Sequence, residues 1–421
     1  MQGVASWASR GVFALAMILS ASCGRGDQIT DLIAGLHSSQ IAVRADAVQE
    51  IAKQAQAKGG REKYHAAVPA LISLLADPID SVRKQALRAL ASTALKSDVP
   101  VLVATLTDNS NSKRSGAATV LGIIADKRAA RPLTTATRDR DAGVRAAATE
   151  ALGGLGDPMA SDALRPLLKD PDNRVRLKAV GAVSVIRDKH SVRDLVPLLR
   201  DRDRAVQSSA AVALARIGDR TIVPDLIRIV QGSPNEQFGI KFYAAFALGS
   251  LGDRRATPTL IKGLDDKDPY VRAGAAAALG HLRDRSAVAP LIKTLKDMHE
   301  LVRWTAAQSL GNVGDRKAVP ALIRALKDKN EDIREQSAKA LGKIGDRSAV
   351  SALIATFTDD DEAIPKTAVL ALGRIGDRSA LPAVRGLLKH KDATVRQAAT
   401  DVIKMLEEPP LQGNTERNGM K

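Results

Sequence analysis

Aromatic side chains are scarce: five Phe, three Tyr and two Trp make up 2% of 421 residues. The 45% of hydrophobic residues must then come chiefly from Ala, Leu, Val and Ile. A core of that kind is filled by closely approaching backbones rather than by large interlocking rings. Cysteine occurs once, at Cys23, which excludes an internal disulfide framework and any cysteine-ligated zinc site. Histidine occurs six times, at His37, His65, His190, His281, His299 and His390. The chain has no phosphate loop, no Gly-x-Ser-x-Gly elbow and no His-Glu-x-x-His helix. It is expected not to be an enzyme, with no catalytic residue, cofactor or metal assigned.

What the chain has in quantity is a repeat. A turn recurs at Gly156-Asp157, Gly218-Asp219, Gly252-Asp253, Gly314-Asp315, Gly345-Asp346 and Gly376-Asp377, and its Asp persists at Asp126, Asp188 and Asp284. The steps between successive turn Asp residues are 31, 31, 31, 34, 31, 31, 31 and 31. A second marker, usually a β-branched residue followed by Arg, keeps the same beat at Arg83, Arg145, Arg176, Arg272, Arg303, Arg334 and Arg396. Arg44 and Arg114 occupy the same place, and Gln207, Lys241 and Pro365 stand there in the remaining three of twelve units. A period in this range marks a solenoid, in which each unit buries its apolar face against its neighbours. The six histidines fall at different phases of the beat, so stacking does not gather them.

Within a unit, Val319, Leu322, Ile323 and Leu326 follow helical spacing, with Pro320 in the first turn where a missing N–H is harmless. The polar run Asp328 to Asp332 breaks that helix. A second helix follows through Ile333, Ser337, Ala338, Leu341 and Ile344, and Gly345 ends it as a left-handed cap. Asp346 then caps the next unit. The fold class is therefore all-α: an α-α superhelix of about twelve two-helix repeats over 29–408. An eight-residue insertion near 56–65 is expected as a solvated loop, 231–243 as a widened repeat, and 409–421 as a disordered tail.

These motifs resemble HEAT repeats, in the short bacterial form known as phycobilisome-lyase HEAT-like repeats. The resemblance implies hydrogen-bonded ladders between turn Asp and second-helix Arg, with structural roles for pairs such as Asp328 with Arg334 or Asp268 with Arg272. It also raises enzymatic relatives. Deoxyhypusine hydroxylase holds a di-iron centre with several His-Glu pairs, whereas His299-Glu300 is the only such pair here. Bilin lyases share the repeat, but a chain read as exported and basic suits chromophore attachment poorly. Fold does not transfer chemistry.

Residues 1–22 read as a signal peptide: Arg10, an apolar run from Val12 to Leu19, then Ser20, Ala21 and Ser22 before Cys23. That run is far short of the roughly 20 residues that span a bilayer. The segment resembles a bacterial lipoprotein signal, which implies lipidation of Cys23, although Ser20 stands where such signals carry Leu. Residues 23–28 form a short linker. An extracytoplasmic protein, anchored through lipid in a bacterial envelope or else secreted or periplasmic, is the expectation.

Two groups are candidates for partner binding. The aromatics Phe238, Tyr243 and Tyr270, near Phe242 and Phe246, either fill space opened by the widened turn or edge a groove for a partner protein. Charge supplies the other. The net charge is +16, and residues 127–219 hold 18 Lys and Arg against 12 Asp and Glu. There Arg138, Arg140, Arg174, Arg200, Arg202 and Arg204 fall in three successive intra-repeat turns, where stacking aligns them as a ridge. Asp139, Asp141, Asp172, Asp201 and Asp203 are interleaved and are expected to dilute it. No aromatics accompany the ridge for base stacking, so nucleic acid is not expected. The reading is a monomeric, non-enzymatic scaffold or adaptor that binds a protein. The alternatives are a repeat-bearing enzyme, bilin lyase-like or an oxidoreductase resembling deoxyhypusine hydroxylase, or a binder of anionic surfaces: lipid headgroups, acidic protein or nucleic acid.

Overall fold

The computed structural model describes residues 27–232 and 238–407, with the side chains of residues 27 and 238 excepted. The expected signal, Cys23 and the 409–421 tail lie outside the described residues, as does the Phe238 side chain. Among the described residues every regular element is an α-helix or a 3-10 turn. No helix there is long and apolar enough to cross a membrane.

The stretch from Asp315 to Gly345 shows the local logic. Asp315 accepts a hydrogen bond from the Lys317 N–H at 2.9 Å and opens a 3-10 turn, Arg316–Ala318. The first helix, Val319–Ala325, follows at once with Pro320 in its first turn. Asp328 and Asn330 then tie the intra-repeat turn: Asp328 accepts from the Asn330 N–H at 3.0 Å, and Asn330 caps the second helix by accepting from the Ile333 N–H at 3.2 Å. That helix, Glu331–Ile344, ends at Gly345, whose φ of 73° is the left-handed geometry that glycine adopts without a Cβ penalty. Ala125, Arg187 and Arg283 hold the same capping position with φ of 54°, 57° and 49°.

The chain divides into two compact units, residues 1–217 and 218–421. Within each, second helices pack on second helices through a stripe of small residues. In the first unit Gly153 faces Ala182 so closely that an added Cβ would stand 2.7 Å from the Ala182 Cα. In the second, Gly311 meets Ala340 and Gly342 meets Ala371 at 2.8 Å in the same sense. Leu, Val and Ala complete the core: Leu152, Val183, Leu310 and Leu341 are fully buried. Such spacing leaves little room for rings, which accounts for the poverty in aromatics.

Neighbouring repeats are also joined by a ladder of ion pairs. In the first unit Arg114 grips Asp139 at 2.7 and 2.9 Å, Arg145 grips Asp170 at 2.8 and 2.9 Å, and Arg176 grips Asp201 with both contacts at 2.7 Å. In the second, Arg272, Arg303 and Arg334 hold Asp297, Asp328 and Asp359 in the same two-pronged way. Lys241 keeps the place with one bond to Asp266 at 2.9 Å. Gln207 is too short and neutral for the task, and its Nε2 donates to the Asp201 carbonyl of its own turn at 2.7 Å.

The ladder corrects the pairs expected from the resemblance. Arg334 meets Asp328 only at its backbone carbonyl, at 3.0 Å, while the Asp328 carboxylate belongs to Arg303 of the preceding repeat. Likewise Asp268 accepts from the Tyr270 N–H at 2.8 Å, and Arg272 reaches forward to Asp297. A second-helix Arg finds carbonyls in its own turn and a carboxylate in the next, because the stacked turn offers its Asp to the guanidinium fork.

The insertion near 56–65 also differs from the expected loop. It contains a helical turn, Gly60–Lys63, in which Gly60 is buried beneath the Gln54 carbonyl. Arg61 donates to the Ala91 and Ser92 carbonyls at 3.1 and 3.2 Å, so part of the segment is docked.

Candidate interaction surfaces

Superposing repeats on the ladder position places three aromatics on one stripe of the second helices. Tyr270 lies two residues before Arg272, Trp304 one after Arg303, and Phe246 five after Lys241. Offsets separated by three and then four share a helix face. Tyr270 is 45% exposed, Phe246 is 39% exposed and Trp304 is half-buried. In the first unit most of the same offsets carry small or charged residues, such as Ser112, Ser115, Gly143, Ala146, Glu150 and Gly181.

Trp304 and Leu301 border a cavity of about 410 Å³, together with Glu300, Asn330 and Asp332. Asn330 donates to a Glu300 oxygen at 3.2 Å, which fixes one wall. Tyr270 lies beside it in sequence register, its ring centroid 6.1 Å from that of His299. Tyr243 is half-buried, with its ring edge-on to Phe242 at 5.4 Å. Phe242 itself lies against Gly274 of the next repeat, where an added Cβ would come within 2.8 Å of the ring. Phe242 and Tyr243 thus do packing work at the widened repeat, while Tyr270 and Phe246 present rings to solvent. Trp304 is isolated in sequence from the aromatics at 238–270, so clustering along the chain does not reveal it. Register alignment on the ladder Arg is the signal that finds it.

In the first unit the turns at 137–141, 168–172 and 199–203 stand side by side, joined by the ladder. Arg138, Arg140, Arg174, Arg200, Arg202 and Arg204 are all exposed there. The interleaved acids are turned to internal uses. Asp139 and Asp201 are ladder partners. Burial alone would raise their carboxyls, but hydrogen bonds from Arg114 and Arg176 and from turn N–H groups outweigh it and hold them below the usual range. Asp141 and Asp203 are lowered first by the Asn111 and Asn173 side chains, with backbone N–H bonds adding to the effect. Asp172 is lowered to about 2, chiefly by its side-chain hydrogen bond with Arg174. These acids therefore stay charged beside the ridge, with their oxygens engaged by internal donors.

Among the described residues no three His, Cys, Asp or Glu side chains gather as a metal-binding group. His65 bonds Asp98 at 2.8 Å, far in sequence from the His299 ring beside Tyr270.

A family model of HEAT repeats matches the sequence seven times, over residues 29–122, 99–184, 161–238, 192–258, 236–297, 288–367 and 354–412. The chain is a HEAT-repeat protein. No curated protein matches the sequence of this HEAT-repeat protein. Solved structures do resemble it. A structure of Kap95p and RanGDP aligns with a TM-score of 0.70 at 11% identity, covering 94% of this chain and 64% of that one. Importin beta gives 0.64 at 16%, covering 96% and 60%. Kap121p bound to the extreme C-terminus of the protein phosphatase Cdc14p gives 0.59 at 13%, covering 90% and 49%. At such identities the likeness establishes the solenoid fold, and the HEAT-repeat protein spans less than two thirds of each of these chains.

Proposed function

We propose that this HEAT-repeat protein is a non-enzymatic scaffold that takes a protein partner on the second-helix face of residues 246–332. The observation that carries this reading is the aromatic stripe of Phe246, Tyr270 and Trp304 beside the Trp304 cavity. Exposed rings in a chain so poor in aromatics are suited to be anchors, since aromatic side chains dominate interface centres. A surface held in place by buried ladders is already ordered before binding, which limits the entropic cost of association. Kap121p, a solenoid of similar fold, is bound to a protein segment in its structure. We further assign the chain to the phycobilisome-lyase HEAT-like form on its 31-residue beat, and place it in the bacterial envelope through lipidation at Cys23, on the strength of residues 10–23.

Capture from an envelope fraction tests the reading. A partner retained by the wild-type chain is expected to be lost from Tyr270→Ala and Trp304→Ala variants that melt normally. Retention of every captured protein by both variants would remove this surface from consideration. Mass spectrometry of the native protein checks the anchor separately, since an unmodified Met1 terminus would refute it.

A further inference from the structure

We propose that the edge formed by the intra-repeat turns at 138–140 and 200–204 binds the phosphates of an anionic lipid surface. This is independent of the partner-binding reading, because it uses another face in another compact unit. Every carboxylate in these turns has an internal occupation. Asp139, Asp170 and Asp201 are held by Arg114, Arg145 and Arg176 of the preceding repeats. Asp141 accepts from Asn111 at 2.8 Å and from the Val144 N–H at 3.0 Å. Asp203 accepts from Asn173 and from the Ala205 N–H. Asp172 grips Arg174 at 2.8 Å, and Lys169 is matched by Asp194 at 2.7 Å.

Four guanidinium groups are left over. Arg138, Arg140, Arg202 and Arg204 are exposed and form no ion pair among the described residues. The ladder fixes their spacing, because each turn is clamped to the next and stacked helices lie ~8–10 Å apart. Asp141 and Asp203 also cap helix N-termini, where the macrodipole opposes their negative charge. Asp141 and Asp203 are the carboxylates of these turns that have only neutral donors as partners, so the four unpaired arginines outnumber them.

Guanidinium forks match phosphate oxygens, which explains why phosphate rather than a generic anion is the fitting chemistry. Composition favours a lipid surface over nucleic acid: Arg138 and Arg140 border a cavity of about 680 Å³, yet residues 65–237 contain no aromatic side chain on which a base could stack. Basic residues at a bilayer act additively, with no fixed partner geometry required.

The test uses the full chain carrying Cys23→Ser, so that no acyl chain contributes, and vesicles of phosphatidylcholine with or without phosphatidylglycerol. Binding is expected only with phosphatidylglycerol, and is expected to fall steeply as salt rises. Replacing Arg138, Arg140, Arg202 and Arg204 by Gln is expected to weaken it by about fivefold per residue, on the order of a hundredfold or more together. Replacing all four by Lys keeps the charge and is expected to retain most of the binding. The two pairs changed separately, each checked by its melting curve, keep the comparison valid if the fourfold Gln variant fails to fold. Equal binding to both vesicle types, or Gln variants that bind like wild type, would overturn the proposal. So would duplex DNA that displaces the protein from the vesicles at matched phosphate concentration.

Discussion

Arg303 fastens two repeats with one side chain. Its Nη1 donates to the Asp297 carbonyl of its own turn at 3.0 Å, while Nε and Nη2 hold the Asp328 carboxylate of the next turn at 2.8 and 3.0 Å. Both partners are largely enclosed, with 7% and 13% of their side-chain surface exposed. Removing one charge strands the other away from water, and breaking a buried pair in this way costs about 3–5 kcal/mol. Arg303→Met should therefore lower stability by that order, measured by urea unfolding. Arg303→Lys should fall between the two, since Lys241 shows that one ammonium bond can hold the same place. A repeat array need not unfold in one step, so the loss should be largest in probes reporting on residues 218–407.

The ladder also sets an acid limit. Asp139, Asp201, Asp266, Asp297, Asp328 and Asp359 are each held below the ordinary carboxylate value; burial works against this, and bonds from the ladder cations and turn N–H groups outweigh it. A carboxyl depressed on folding contributes stability above its unfolded value, near 4, and that contribution disappears as pH falls through the folded value. Stability should thus be flat in this respect from pH 7 down to about 5, then drop below about pH 4. Urea midpoints followed by helicity across that range check it, and replacing Asp328 by Asn should make the acid limb shallower.

Three helix ends present a different opportunity. Ala125, Arg187 and Arg283 adopt left-handed backbone where Gly156, Gly218, Gly252, Gly314, Gly345 and Gly376 do so without a side chain. The Cβ clash in that conformation costs about 1–2 kcal/mol. Glycine at any of the three should raise stability by about 1 kcal/mol once its greater unfolded-state freedom is deducted. Differential scanning calorimetry of the triple variant reads the effect. The opposite sign is expected for Gly153→Ala, whose Cβ would press on the Ala182 Cα, at about 1–3 kcal/mol.

These cases separate what the sequence discloses from what it withholds. The helices, the Pro320 start, the Gly345 cap and the Asp346 cap were legible because each depends on residues within one turn of itself. The partner of Arg303 was not, since Asp328 lies in the next turn and only stacking brings it into reach. The same holds for the ridge: Asp139 reads as a counter-charge to Arg138 and Arg140, yet its carboxylate faces Arg114. Gly60 falls within the insertion read as a solvated loop, and its burial against Gln54 depends on how the chain folds back. Trp304 became visible as a candidate only when the second helices were laid over one another.

The aromatic stripe yields the sharpest contrast between packing and binding. Phe242 lies over Gly274 and meets Tyr243 edge-on, so Phe242→Ala should open a void between two second helices. Because that ring is only half-buried, the loss should be somewhat below the roughly 3–5 kcal/mol of a fully enclosed one. Tyr270 is 45% exposed, so Tyr270→Ala should change stability by no more than about 0.5 kcal/mol. If the stripe binds a protein, Tyr270→Ala and Trp304→Ala should instead weaken the complex by about 1–2 kcal/mol or more each. Trp304 is the one tryptophan among the described residues, so its emission reports both occupancy of the cavity and its loss. Paired melting curves and binding isotherms on the three variants decide the matter: reduced stability at Phe242 with reduced affinity at Tyr270 supports the scaffold reading. Reduced stability at Tyr270 with unchanged affinity would make the whole cluster a packing device.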